Sequence, residues 1–429
     1  MKNFKYLVLI FIGFCISFFF EAKAQNNLNL EEWLSQTKGI TFEKTPLDSL
    51  HQFSYTIFVS QYIDHQNPEE GRFTQKVYLT HIDKALPMVM VTEGYTANRN
   101  YISEPAKVFG LNQIIVEHRY FGESVPDSVN WSQLTTKNAA EDHHHIYELF
   151  SQFYGKKWMS TGVSKGGQTS IFYKYYHPKD MYVSIPYVAP LNLEQEDPRI
   201  NWFLRHVASP EDDARILNYQ RLMLENFDKI FPIFTDIAKK NNKDFAVNDT
   251  LAYEFMVLEF PFSYFQWGSM HIDSIPLKFK SVKQMLKPMQ RLGLVNFYYK
   301  STLDGLMPFM VQAYRELGYY DYDLDSLDTY LLKMENSSNI AFLPEELRFP
   351  YEADIMNNVY DFIHNEGNRM VFVYGELDPW SSTSVNPDSR TDAIKLVLSG
   401  GSHSTRLRHF DKEKYNMVVE RVKTWLKDE

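Results

Sequence analysis

The chain has 429 residues, a net charge of −10 and a single cysteine, Cys15. The acidic balance disfavours nucleic acid as a partner. Aromatic residues make up 16% of the chain, more than a plain core needs, which points to a large apolar cleft.

The first segment, "MKNFKYLVLIFIGFCISFFFEAKAQ", has Lys2 and Lys5, a mostly apolar stretch over 6–20, and then Ala22-Lys23-Ala24. That is the pattern of a secretory signal with cleavage expected after Ala24. The apolar stretch is short of the roughly 20 residues that span a bilayer. A secreted or periplasmic protein with no membrane insertion after cleavage is therefore expected. Cleavage would also remove Cys15, and with it disulfides, thiolate metal sites and cysteine nucleophiles.

Residues 52–60 and 72–82 alternate in polarity around the turn-like "DHQNPEEG", which predicts an antiparallel strand pair. Short apolar runs follow at 88–94, 112–120, 157–162 and 181–190, with helical stretches at 136–153 and 167–177. Strands buried on both faces and joined by helices imply a parallel sheet. From 192 to 345 the pattern turns helical. One long helix is expected to start at Ser209-Pro210 and to run on through "ILNYQRLMLENFDKIFPIFTDIAKK". Further helices are expected at 251–260 and 306–317. Sheet character resumes at 369–378 and 394–401, before an amphipathic helix at 411–427. The expected organisation is a signal over 1–24, an α/β core from 25–191 and 346–429, and a helical cap inserted at 192–345.

Gly162-Val163-Ser164-Lys165-Gly166 matches G-x-S-x-G between a strand-like and a helix-like run. A serine on such a turn needs small neighbours because main chains converge there, and the helix N-terminus beyond favours developing negative charge. In this architecture an acid and then a histidine follow the serine in the chain, each beyond a late strand. "VFVYGELDPWSS" supplies Asp378, with Glu376 as its competitor, and "LVLSGGSHSTRL" supplies His403. The tetrahedral intermediate would be held by the Lys165 N–H and by an amide of the "TEGYTANRN" loop, from Gly94 or Tyr95. The Lys165 side chain is expected only to pair with a nearby acid. In "EDHHHIYE" the three histidines point about 100° apart on a helix, so they do not share one ion; surface and packing roles are expected, with no metal and no organic cofactor.

With "VEHRYFGES", "NAAEDHHHIYELF", "STGVSKGG", "GELDPWS" and the "GGSH" loop together, the chain resembles secreted bacterial serine peptidases of the prolyl tripeptidyl aminopeptidase type. These are relatives of lysosomal prolyl carboxypeptidase and dipeptidyl peptidase II. The resemblance implies an α/β-hydrolase core with a helical cap, Ser164, Asp378 and His403 as the triad, and removal of short peptides, often after proline, from substrates with a free N-terminus. A cationic amine calls for a carboxylate at a set distance from the nucleophile. Glu93 and Glu117 are the candidates by position, with the cap acids Glu254, Glu259 and Asp321 behind them. Glu117 has a competing role, bracing its loop through Arg119 or main chain. Trp202, Tyr264, Trp267, Tyr314 and Tyr319 are candidates to line an apolar pocket. The alternatives are an esterase or lipase of the same fold, which needs no amine anchor, and a non-catalytic binding protein on a hydrolase scaffold.

Overall fold

In the computed structural model, which describes residues 29–45, 53–155, 157–324 and 326–427, nine strands form one sheet. They are β1 (Ile40–Thr45), β2 (Phe53–Tyr62), β3 (Arg72–His81), β4 (Met88–Thr92), β5 (Asn112–Val116), β6 (Trp158–Val163), β7 (Met181–Tyr187), β8 (Met370–Gly375) and β9 (Ala393–Leu398). Their order is β1-β2-β3-β5-β4-β6-β7-β8-β9. The first three strands pair antiparallel and β3 joins β5 antiparallel; β5 through β9 are all parallel. This is a mostly parallel α/β sheet with an antiparallel N-terminal flank. The expected pair is present as β2 and β3, and β1 extends it by one strand. The leader-like segment lies outside the described residues.

The central strands are apolar because both their faces are covered. On one face Ile57, Met90, Ile114 and Trp158 pack with Ile146 and Phe150 of the helix Thr136–Tyr154. On the other face Val89, Val183, Ile185 and Val371 meet Val418, Val422 and Trp425 of the last helix, Lys412–Lys427. Each layer stabilises the sheet by roughly 25 cal/mol per Å² of apolar surface that it buries.

Between β7 and β8 the described chain adds no strand to the sheet. Its helices gather around a separate apolar cluster that includes Tyr219, Phe234, Tyr253, Phe255, Met285 and Tyr298. The single long helix expected from Ser209 is two helices, Pro210–Glu225 and Phe227–Lys240. Ser209 does cap the first one, accepting from the Asp212 N–H. The break falls at Asn226, whose side-chain amide donates to the Leu222 carbonyl at 3.0 Å, and such local bonds compete with the helical ladder.

Candidate active site

Ser164 lies between β6 and the helix Lys165–Tyr176 and has φ 58°, a left-handed value that a non-glycine residue adopts only when its surroundings enforce it. The enforcement is steric and polar. A Cβ on Gly162 would sit 2.2 Å from the Gly166 oxygen, and one on Gly166 would sit 2.5 Å from the Thr92 oxygen. The end of β4 thus presses directly on the turn. Thr92 Oγ1 donates to the Gly166 carbonyl (2.8 Å), and the Ser164 N–H donates to the Tyr187 carbonyl at the end of β7 (2.9 Å). The hydroxyl stands at the C-terminal edge of the sheet, with the N-terminus of the helix just beyond it.

Asp378 and His403 follow β8 and β9. His403 Nδ1 lies 2.7 Å from Asp378 Oδ2, and both side chains are buried. A carboxylate only accepts, so Nδ1 carries a proton, and in the neutral imidazole this tautomer leaves the lone pair on Nε2. The imidazole loop is tied from the helical side too: the His403 N–H donates to the Gln266 carbonyl (2.8 Å), and Trp267 meets the ring edge-on at 5.9 Å. Glu376, the competing acid, is exposed and accepts from Ser399 Oγ and the Gly400 N–H, which fastens the turn after β9. No hydrogen bond joins Ser164 to His403 among the described residues. Catalytic contacts are commonly long without substrate.

A cleft of about 500 Å³ opens over Ser164. Its wall includes Tyr95, Lys165, Glu259, Phe309, Tyr319, Tyr320, Phe262, Trp267 and Trp380. Phe262 and Tyr320 stack at 4.1 Å, and Trp380 meets Phe262 at 5.1 Å and Tyr319 at 5.7 Å. Of the aromatics singled out in the sequence, Trp267 and Tyr319 face the cleft. Trp202 is 64% exposed and stacks on His206 instead, and Tyr264 and Tyr314 do not line the cleft. Phe262, Tyr320 and Trp380 were missed. Trp380, two residues past Asp378 in "ELDPW", was the one with a signal in its position.

Among the described residues the cleft wall contains one carboxylate, Glu259. Its Oε1 accepts from Ser263 Oγ (2.7 Å), and its Oε2 accepts from the hydroxyls of Tyr320 (2.8 Å) and Tyr322 (2.9 Å). Burial pushes its pKa up to about 7, against the opposing pull of those three donors.

Glu93 and Glu117 stand elsewhere. Glu93 accepts from the Tyr101 hydroxyl at 2.8 Å and is absent from the cleft wall, and burial raises its pKa. Glu117 is wholly buried and saturated by its own neighbourhood. It takes the N–H groups of Ala97 and Glu123 and the Ser124 hydroxyl, and pairs with Lys76 at 3.1 Å. A Cβ on Gly122 would fall 2.4 Å from its Oε2. No room remains there for a substrate amine. Glu254 and Asp321 are also engaged, with the Lys333 N–H and with Asn201.

The "EHRYFGES" and "NAAEDHHH" stretches meet beside this brace. Arg119 and Asp142, both fully buried, pair through two bonds of 2.7 Å. The remaining guanidinium protons go to carbonyls of Ile63, Gln133 and Tyr62, and His65 Nε2 lies 2.8 Å from Asp142. Of the three histidines, His143 and His145 engage the Ala139 carbonyl and Gln61. His144 comes near His177 and Asp180, with ligand atoms within 4.8 Å of one another. The His144 and His177 rings, however, stack at 4.0 Å and 9°. Lone pairs in parallel planes do not converge on one ion.

The Lys165 side chain departs from expectation. It is buried and its Nζ donates to the Gly94 carbonyl at 2.9 Å; among the described residues it forms no ion pair with an acid.

The family model described as PS-10 peptidase S37 matches residues 29–426. A prolyl tri/tetrapeptidyl aminopeptidase of Streptomyces mobaraensis is 28% identical over 376 residues, which are 85% of this chain and 78% of that protein. Among solved structures, a proline iminopeptidase of Mycobacterium smegmatis aligns with 14% identity and a TM-score of 0.40, over 86% of this chain and 98% of that one. An alpha/beta fold family hydrolase of Bacillus anthracis aligns with 13% identity and a TM-score of 0.36, over 85% and 99%.

Proposed function

The chain belongs to the peptidase S37 family and is a serine peptidase, and from that premise we propose that it is an aminopeptidase cutting short fragments from the free N-terminus of peptides. Ser164 attacks the scissile carbonyl. His403 takes its proton through Nε2, and Asp378 holds the Nδ1–H tautomer. The N–H groups of Lys165 and Tyr95 receive the oxyanion. His403 then protonates the leaving amine, and water releases the acyl group by the reverse path.

The observation that carries the exopeptidase reading is Glu259, the one carboxylate among the described residues in the wall of the cleft that contains Ser164. An ammonium placed there would meet a preformed acceptor held by three hydroxyls, and charge-assisted bonds in a dry site strongly order a ligand. The stacked surface of Phe262, Tyr319, Tyr320 and Trp380 suits a flat, rigid apolar ring such as proline. The name of the Streptomyces relative, a prolyl tri/tetrapeptidyl aminopeptidase, fits an anchor several residues from the cut, and release of tripeptides is part of the proposal. So is export, which the leader-like sequence motivates; among the described residues no helix is long and apolar enough to cross a membrane.

The test is a panel of peptide amides with free and acetylated N-termini, varied in length and in the residue before the cut. Cleavage of free peptides only, three residues in and after proline, is the expected outcome. Equal cleavage of blocked and free peptides would defeat the assignment.

A further inference from the structure

We infer that the Lys165 side chain is a positioning residue for the oxyanion site: its terminal nitrogen clamps the Gly94 carbonyl and thereby aims the Tyr95 N–H at the cleft. The inference rests on the reading of Ser164 as the nucleophile.

Gly94 C=O and Tyr95 N–H belong to one peptide unit. No peptide bond among the described residues is cis, so in this planar unit the two groups point in opposite directions. Whatever fixes the carbonyl fixes the amide. Lys165 Nζ donates to that oxygen at 2.9 Å. The next unit is fixed as well, because the His118 N–H donates to the Tyr95 carbonyl at 3.2 Å. The Tyr95 N–H between these two anchors makes no hydrogen bond among the described residues, and Tyr95 lines the cleft with Ser164.

Gly94 closes the arrangement. A Cβ there would stand 2.6 Å from both the Gly166 nitrogen and Lys165 Cβ, so only glycine lets the loop reach the N-terminus of the helix. The helix brings the first donor, the Lys165 N–H, and the same residue's side chain reaches over to hold the second donor's peptide.

The environment of Nζ favours this task over an ionic one. Tyr95 and Phe121 present their rings at 5.7 and 5.5 Å, and the space beside the amine is lined by His118, Gln168 and Gln312. Glu316, the acid that acts on it electrostatically, is bound to the Thr136 N–H. Burial pushes the amine's pKa well below the usual lysine range. An amine donates to a carbonyl in either protonation state, so the clamp survives that shift.

The experiment compares wild type with Lys165→Met, which keeps length and removes the donor. The readouts are kcat and KM on the best amide of the panel, affinity for the matching peptide aldehyde, whose serine adduct carries the oxyanion, and affinity for the released product peptide. A misaimed donor should cost about 10- to 100-fold in kcat and a similar factor in aldehyde affinity, below the 10²–10³ typical of a deleted donor. KM and product affinity should stay within about twofold. A folded Lys165→Met with wild-type kcat overturns the inference, as does a parallel fall of kcat and product affinity. If that variant does not fold, Lys165→Gln, one methylene too short to reach, is read the same way; if neither folds, the role is structural and the inference fails. Absence of an adduct on Ser164 in wild type would sink the nucleophile reading itself. An adduct formed equally fast in Lys165→Met sinks only the clamp.

Discussion

Glu117 and Glu259 are both buried carboxylates, and they divide the molecule into two kinds of surface. Glu117 belongs to the sheet-edge platform, where every acceptor is taken by main chain, Ser124 or Lys76 and no volume is left over. Glu259 belongs to the helical wall, where three hydroxyls hold the carboxylate and an open cleft lies in front of it. Sequence position favoured the first, because Glu117 follows a parallel strand where ligands usually gather. Burial alone does not make a binding group. Unfilled space beside the acceptor decides.

This contrast can be broken by substitutions that separate chemistry from recognition. The platform should govern rate and fold for every substrate, and the helical wall should govern which substrate is taken. Asp378→Asn should lower kcat by about 10⁴ on all cleaved peptides by favouring the wrong imidazole tautomer, with KM little changed. Asp142→Ala leaves Arg119 charged and buried without its partner, and breaking such a pair costs about 3–5 kcal/mol. A urea melt should read that loss as a lower midpoint, and a variant as stable as wild type would remove the network from the account of the platform.

On the helical wall, Glu259→Gln should raise KM about 10- to 100-fold for free peptides, the loss of a desolvated charge-assisted anchor, and leave kcat near wild type. The pH dependence sharpens this. Glu259 has a pKa raised to about 7, so it is ionised above that value and neutral below. KM for free peptides should therefore rise as pH falls through about 7. It should rise again above about 8, where the substrate amine, with an ordinary pKa near 7.7–8.0, loses its charge. The acidic rise should vanish in Glu259→Gln. The smallest effect is expected from Phe262→Leu, which removes the stack on Tyr320; the preference for proline over alanine before the cut should fall by a few-fold, measured as a ratio of kcat/KM.

The platform was the more legible half. Its strands are apolar runs bounded by turns, and the residues that end them, Ser164, Asp378 and His403, carry their own context in "GVSKGG", "GELDPW" and "SGGSH". In the structure His403 Nδ1 lies 2.7 Å from Asp378, and Ser164 has a positive φ on the turn after β6. Strand β1 was not legible: four of the six residues of "ITFEKT" are polar, and the strand holds by pairing with β2, a contact that local pattern does not encode. The helical wall was opaque for another reason. Residues 252–258 of the helix Asp249–Leu258 are all buried, so no stripe distinguishes the cleft face from the packing face. Glu259, the residue just past it, was one cap acid among several until the hydroxyls of Tyr320 and Tyr322 came into view. The Lys165 clamp depends on a contact 71 residues apart in the chain, beyond what any local motif describes.

The most direct measurement is peptide mapping after reaction with a fluorophosphonate. One adduct is predicted, on Ser164, abolished in Ser164→Ala and formed at least about 10³-fold more slowly in His403→Ala. Peptidase activity that persists in Ser164→Ala, or an adduct on a different residue, would contradict the account.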